Sequence, residues 1–126
     1  MNLNPFFKSI IEQETVPVVI CSTDHIIIYM NPAAIENYRK RGGAELIGKS
    51  LLDCHNERSV KIIKSVAAYF EKNSDNDIVF THFNEKKNLD IYMVALRDED
   101  NNLIGYYEKQ TKHEEKPSGE RFKLSL

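Results

Sequence analysis

The apolar positions at the start of the chain recur at the spacing of one helical face. Asn4 and Pro5 are typical of a helix start, because Asn can cap free backbone N–H groups and Pro suits the first turn. We therefore predict an N-terminal amphipathic helix over residues 1–15. Its apolar face contains Leu3, Phe6, Phe7, Ile10 and Ile11. That face needs a cover, either from the domain's own sheet or from a second subunit.

Two short runs rich in β-branched residues follow, at residues 16–21 and 26–30. The polar residues 22–24 separate them, and this arrangement predicts an antiparallel hairpin. Asn31 and Pro32 repeat the helix-start signal, and Asn56 is expected to cap a longer helix that ends near Lys72. The buried stripe of that longer helix is expected to contain Val60, Ile63, Val66, Ala67 and Phe70.

Three more strand-like runs lie at residues 78–83, 89–96 and 103–109, with short turn-rich segments between them. Short links between consecutive strands predict an antiparallel meander. The element order as a whole predicts an α+β fold, in which a five-stranded antiparallel sheet has helices packed on one face. Residues 112–126 are expected to form a polar C-terminal tail. Within it, Phe122, Leu124 and Leu126 alternate and could dock as an edge strand.

Three segments resemble the sequence pattern of PAS domains. They are residues 24–34 (DHIIIYMNPAA), residues 47–50 (IGKS) before the long helix, and residues 98–111 (DEDNNLIGYYEKQT). In that family the last strand commonly follows an acidic turn and carries a small residue after apolar ones, as Gly105 does here. One departure is His25, which stands where the family often has glycine. The resemblance covers residues 17–111 and implies a PAS-like domain over residues 16–111.

The resemblance implies a sensory or interaction module that is not usually an enzyme. Such a module would bind a small ligand or a protein partner in signal transduction or regulation of transcription. PAS relatives often pair through an apolar N-terminal helix and the outer face of the sheet. We therefore expect a homodimer with Phe6, Phe7, Ile10 and Ile11 at its interface.

Composition narrows the choice of partners and compartment. The 126 residues carry a net charge of −2, from 17 basic and 19 acidic side chains. This balance gives no basic face of the kind that nucleic-acid binding needs. Cys21 and Cys54 have no disulfide or CxxC spacing, and we expect a reducing, cytoplasmic location. The N-terminus does not read as a signal peptide, and no apolar run is long enough to span a bilayer.

Histidines and aromatic residues give an alternative, a PAS sensor that binds haem or another cofactor. Some PAS sensors hold haem through a histidine in or near the long central helix, and His55 lies at the start of that helix. His82 lies on a predicted strand, where it either shares a face with Phe80 or takes an exposed or sheet-edge position. We expect a ligand pocket lined by His55, His82, Phe80 and Tyr92, because aromatic and polar side chains together are typical of small-molecule sites. The four histidines form no spaced zinc motif.

Cys54 is the remaining candidate for chemistry. His55 is its sequence neighbour, and adjacent side chains are poorly placed for one to activate the other, which argues against catalysis. A nearby helix N-terminus would favour the thiolate, so a small redox protein or enzyme that uses Cys54 is a second alternative. Covalent flavin photochemistry is not expected. The reactive cysteine of the PAS flavoproteins comes sooner after the glycine that corresponds to Gly48.

Overall fold

The structure, a computed structural model, describes residues 1–116 and confirms the predicted fold class. Phe122, Leu124 and Leu126, the residues of the predicted edge strand, lie outside the described residues. The helices are α1 (Asn4–Gln13), α2 (Pro32–Asn37) and α3 (Glu57–Lys72), with 3-10 turns at Arg39–Arg41, Gly43–Leu46 and Leu51–Cys54. The strands are β1 (Val19–Ser22), β2 (Ile27–Met30), β3 (Ile78–Asn84), β4 (Leu89–Arg97) and β5 (Leu103–Lys112).

The five strands form one antiparallel sheet in the order β2-β1-β5-β4-β3, so the last strand in sequence is the middle strand in space. β5 therefore joins the N-terminal hairpin to the C-terminal meander. Gly105 makes this join possible, because a Cβ at that position would lie 2.1 Å from the carbonyl oxygen of Cys21. β1 can pair this closely with β5 because the residue at position 105 has no side chain.

One face of the sheet carries the core, and α3 covers it. Ile63, Val66 and Phe70 of α3 are buried there, at the helical spacing that the sequence predicts. Asn56 caps the helix as expected, since its Oδ1 accepts a hydrogen bond of 2.8 Å from the Ser59 N–H. The core also includes Val19, Cys21, Ile27, Met30, Ala34, Leu46, Leu51, Val79, Met93 and Tyr106.

Arg97 of β4 fixes the other end of α3. Its Nη2 donates hydrogen bonds to the carbonyl oxygens of Phe70, Asn73 and Asn76, and its Nε donates to Asp77. The last carbonyl groups of a helix lack partners within the helix, and a guanidinium satisfies them while complementing the helix dipole. The sheet therefore holds α3 at both its buried stripe and its C-terminus.

α1 lies at the opposite face of the sheet. Ile10 and Ile11 line a groove together with Val18 and Ile20, which alternate along β1 with the core residues Val19 and Cys21. α1 contains no fully buried residue. Its start differs from the prediction, because Asn2 rather than Asn4 supplies the side-chain oxygen, which accepts from the Asn4 N–H at 3.0 Å. No helix among residues 1–116 is long and apolar enough to cross a membrane.

Candidate functional site

A small cavity lies between the sheet and α3. Its wall is formed by Val19, Cys21, Tyr38, Leu51, Ile63, Met93, Tyr106 and Glu108, and we call it the inner cavity. Its volume is about 10 Å³, which matches roughly one water molecule. Half of these side chains carry a polar atom, which is unusual for the centre of a domain core.

Glu108 is the most unusual of these residues. It lies on the middle strand, directly opposite Val19 of β1 and Met93 of β4, where the alternation of the sheet calls for an apolar side chain. Its Oε1 accepts a hydrogen bond of 3.2 Å from Gln110 Nε2. Burial raises the pKa of the Glu108 carboxyl group, and the nearby His55 and the Gln110 hydrogen bond only partly oppose this shift.

Two tyrosine side chains, Tyr38 and Tyr106, line the same space. The Tyr106 hydroxyl oxygen lies 2.7 Å from His25 Nδ1. Burial raises the pKa of both Tyr106 and Tyr38, and the negative charge of Glu108 raises them further. Both hydroxyls are therefore neutral at physiological pH. His25 has its pKa lowered, first by burial and then by the charge of Lys64, so it meets Tyr106 as a neutral ring.

The two thiols have different environments. Cys21 is 1% exposed, and burial raises its pKa to about 12, so its thiol is protonated and unreactive at neutral pH. Cys54 is partly exposed and ends the 3-10 turn Leu51–Cys54, two residues before the cap of α3. Cys54 is therefore the accessible thiol of the pair.

An open cleft lies outside the inner cavity and shares Tyr38 with it. The cleft is lined by Asn37, Tyr38, Lys40, Arg41, Cys54, His55, Asn56 and Ser59, has a volume of about 400 Å³, and is called here the basic cleft. The Arg41 guanidinium donates a hydrogen bond to the carbonyl oxygen of Cys54 across it. Tyr38 lines both spaces. The inner cavity contains the Glu108 carboxyl group, and the basic cleft contains the cations of Lys40 and Arg41.

The structure does not bring the four predicted pocket residues into one pocket. The rings of Phe80 and Tyr92 are in contact, with centroids 5.5 Å apart, but these two side chains point away from the core face that Val79 and Met93 occupy. His55 lies elsewhere, at the entry to α3 beside the basic cleft. The prediction of a shared pocket is therefore wrong in its grouping, although His55 does line a site.

Of the two positions expected for His82, the structure has the exposed one, and the shared face with Phe80 is wrong. A β-bulge at Thr81 places Phe80 opposite Tyr92 and His82 opposite Ile91, two neighbours on β4 that point to opposite faces. His82 therefore does not share a face with Phe80, and it is exposed. An inserted residue of this kind leaves no signal in the alternation of the sequence.

The residues do not fit a haem in this arrangement. His82 is exposed, His55 Nδ1 lies 2.9 Å from the carbonyl oxygen of Leu51, and the inner cavity is far smaller than a macrocycle. No group of three or more metal-ligating side chains occurs within residues 1–116. The polar residues of the inner cavity are instead a carboxyl group, two neutral hydroxyls and a protonated thiol.

Sequence reasoning missed Tyr38, Cys21, Tyr106 and Glu108 as site residues. One signal was present, because Tyr106, Glu108 and Gln110 alternate along the last strand and so share a face. Which face of that strand is buried depends on its pairing with β1, and the sequence does not specify this pairing.

The predicted dimer residues are only partly exposed. The exposed fractions of Phe6, Phe7 and Ile10 range from 55% to 67%, whereas Ile11 is half-buried against the sheet. α1 therefore leaves Phe6, Phe7 and Ile10 exposed in the single chain.

A model of the PAS fold matches residues 6–107 of the sequence. The chain belongs to the PAS family, as the element order and the three sequence segments predict. The sequence has no significant match among curated proteins.

Solved structures with the same fold include several sensors. The PAS domain of a protein from Colwellia psychrerythraea is 12% identical, with a TM-score of 0.66 over 88% of this chain and 97% of that one. The Aer2 receptor from Vibrio cholerae, described as a dual PAS-heme oxygen sensor, is 23% identical, with a TM-score of 0.55 over 76% and 91%. VqmA from Vibrio cholerae, described as a dimer, is 12% identical, with a TM-score of 0.59 over 87% and 51%.

Proposed function

We propose that this chain is a non-catalytic PAS sensory domain that binds a small ligand at the inner cavity and acts in signal transduction or regulation of transcription. The observation that carries the proposal is the Glu108 side chain, which is half-buried on the core face of the middle strand, with its carboxyl group largely removed from solvent. An apolar side chain at this position would give a more stable core, because a buried carboxyl group with few partners is costly. Such local violations are typical of functional sites.

The shape of the site supports binding rather than catalysis. The inner cavity contains neutral hydroxyls, a thiol whose pKa is raised to about 12 and one carboxyl group, which together offer no nucleophile paired with a base. The basic cleft is open to solvent and shares Tyr38 with the inner cavity, so movement of this side chain offers a route between them. A ligand that displaces Tyr38 would couple binding to the segment that follows α2.

The test is to identify small molecules that leave the natively purified protein on denaturation, by mass spectrometry. We expect one compound in near-stoichiometric amount from the wild type and from an exposed control, Glu99→Leu. It should be lost from Glu108→Leu, with circular dichroism showing that this variant is folded. Equal small-molecule content in all three proteins, or none from the wild type, would contradict the proposal.

We also propose that the domain forms a homodimer through α1. Phe6, Phe7 and Ile10 lie close together on α1 and are all exposed. Single exposed apolar residues are common on protein surfaces, whereas a group of them marks an interaction site. The description of VqmA as a dimer supports this, as does the groove between α1 and the outer face of the sheet. A separate signalling protein would then read the state of the dimer, and the two unpaired thiols support a cytoplasmic location.

Sedimentation equilibrium of three proteins tests the dimer. The wild type should be a dimer, and Phe7→Glu combined with Ile10→Glu should be a monomer, because two charges enter the interface. Lys8→Glu, on the same helix, is the matched control and should remain a dimer. Persistence of the dimer in the double variant, or a monomeric wild type, would refute this part of the proposal.

A further inference from the structure

The inner cavity contains an acidic group, the basic cleft contains cations, and Tyr38 lines both. On the inner side is the carboxyl group of Glu108. On the outer side are the cations of Lys40 and Arg41, and the eight residues that line the cleft include no carboxylate. A ligand that spans the two spaces would therefore meet a negative group at one end and positive groups at the other.

We infer that the ligand is a small zwitterion, an amino acid or a close relative, whose ammonium group binds Glu108 and whose anionic group binds at Lys40 and Arg41. This inference rests on the proposed function and specifies its ligand. The ligand is a single molecule with both charges, since a simple amine would leave the cations of the basic cleft unpaired and a simple acid would leave Glu108 without a donor beyond Gln110 in residues 1–116.

The inner end has the chemistry that an ammonium group needs. Within residues 1–116 the Glu108 carboxyl group has one hydrogen-bond donor, Gln110, although an ionised carboxylate can accept about four hydrogen bonds. An ammonium group supplies three donors. The rings of Tyr38 and Tyr106 line the same space and can add cation–π attraction. Bound positive charge would also favour the ionised form of Glu108, which burial opposes.

The outer end has unused donors for an anion. Arg41 makes a hydrogen bond to the Cys54 carbonyl oxygen, and a guanidinium has five N–H donors in a planar fork that matches a carboxylate. Lys40 is exposed beside it.

Size limits the ligand. The inner cavity has a volume of about 10 Å³ and the basic cleft about 400 Å³, so only the ammonium end can lie inside. Tyr38 must turn aside for the two spaces to connect. A series of amino acids with increasing separation between the charged groups therefore measures the distance that the ligand spans.

Isothermal titration calorimetry with a defined panel tests the inference, on protein that has been freed of any co-purified compound by unfolding, dialysis and refolding. The probes are the common α-amino acids together with β-alanine, γ-aminobutyrate and 5-aminovalerate. For each binder, the matched amine without the carboxylate and the matched acid without the amine are also titrated. We expect at least one zwitterion to bind, and both of its single-charge analogues to bind about tenfold more weakly or worse.

Variants then locate the two ends. Glu108→Gln keeps the shape and removes the charge, and Arg41→Gln removes the outer cation; each should weaken binding about tenfold or more. Glu99→Gln is the exposed control and should bind like the wild type, and circular dichroism checks that each variant is folded. Binding that survives Glu108→Gln, an analogue that binds as well as its parent, or no binder in the panel would overturn the inference.

The outcome separates this inference from the proposed function. If denaturation of the purified protein releases a neutral or purely anionic compound that requires Glu108, the sensory site stands and the zwitterion is wrong. If no compound is released and no probe binds, both are wrong.

Discussion

The side-chain amide of Asn31 lies 3.0 Å from the carbonyl oxygen of Val16 and donates a hydrogen bond to it. The same amide lies 3.2 Å from the Ile11 carbonyl oxygen and 3.3 Å from that of Glu14, at the end of α1. Asn31 is completely buried. One side chain therefore caps the C-terminal end of the helix that carries the proposed dimer surface.

The side-chain oxygen of Asn31 binds the segment that enters β1 and the first turn of α2. Asn31 Oδ1 accepts hydrogen bonds of 2.9 Å from the Val18 and Ala34 N–H groups, so it fixes β1 and caps α2. Val18 is the neighbour of Val19, which lies opposite Glu108. A continuous set of contacts thus connects the inner cavity to α1 through β1 and Asn31.

Replacing Asn31 with aspartate should release α1 while keeping the cap of α2. The remaining oxygen can still accept from Val18 and Ala34, but a carboxylate oxygen now faces carbonyl oxygens where an amide donated. We expect a loss of about 2–3 kcal/mol in the free energy of unfolding. Urea denaturation measures this loss, and hydrogen exchange should show faster exchange in α1.

Asn56→Asp is the matched control for this prediction. Asn56 also caps a helix through its Oδ1, but within residues 1–116 its amide donates no hydrogen bond. Aspartate is as good a cap as asparagine, so the control should change stability by less than about 0.5 kcal/mol. Equal losses in the two variants would show that the amide of Asn31 does not hold α1.

Glu108 should make stability depend on pH in an unusual direction. Burial raises the pKa of its carboxyl group in the folded state above the unfolded value, so the folded state binds the proton more tightly. The contribution of Glu108 to stability is therefore present below the unfolded pKa and is lost as pH rises through the folded pKa. The titratable groups that face it are Cys21, Tyr38, His55 and Tyr106.

Glu108→Gln should remove this dependence. The variant should be more stable than the wild type above the folded pKa of Glu108, and the difference should shrink as pH falls toward the ordinary carboxyl range. Thermal unfolding between pH 4 and pH 8 measures it, with Glu99→Gln as an exposed control that should follow the wild type. A variant less stable than the wild type at pH 8 would mean that the ionised carboxyl group is well paired.

The two cysteines should react at very different rates. Cys54 lines the basic cleft, whereas Cys21 is buried with a pKa raised to about 12, and the thiolate is the reactive form. Iodoacetamide at pH 8 should label Cys54 at least about tenfold faster than Cys21. Mass spectrometry of labelled peptides gives both rates.

Single variants check the assignment and the redox alternative. Cys54→Ser should remove nearly all labelling of the folded protein, and Cys21→Ala should leave it unchanged. Labelling of Cys54 that is fast even near pH 7 would support a redox role for that thiol, and slow labelling argues against one. Labelling of Cys21 at the rate of Cys54 would contradict the buried position of Cys21.

Local signals explain what the sequence predicts well. The caps Asn31 and Asn56 lie where the pattern places them, and both act through their side-chain oxygens. α3 runs over Glu57–Lys72, and each of the five strands lies within about three residues of its prediction. Each of these features depends on residues close together in the chain, so a single sequence contains the information.

The site depends on contacts between segments that are far apart in the sequence. No local sequence pattern predicts these contacts. Glu108 faces the inner cavity because β5 pairs with β1, about ninety residues away in the sequence. The bulge at Thr81 reverses the face on which His82 was expected. α1 could have packed on either face, and the amide of Asn31 decides where its end lies.

The three methionines allow the most direct test of an occupied inner cavity. Met93 lines the inner cavity, Met30 lies in the core nearby, and Met1 is fully exposed. Methyl-labelled methionine gives three resonances, which we would record for the protein as purified and again after unfolding, dialysis and refolding. The account predicts that the Met93 resonance shifts when the ligand is stripped, while that of Met1 stays and that of Met30 reports correct refolding. Identical Met93 resonances in the two samples would contradict it, because the cavity would then hold nothing that purification retains.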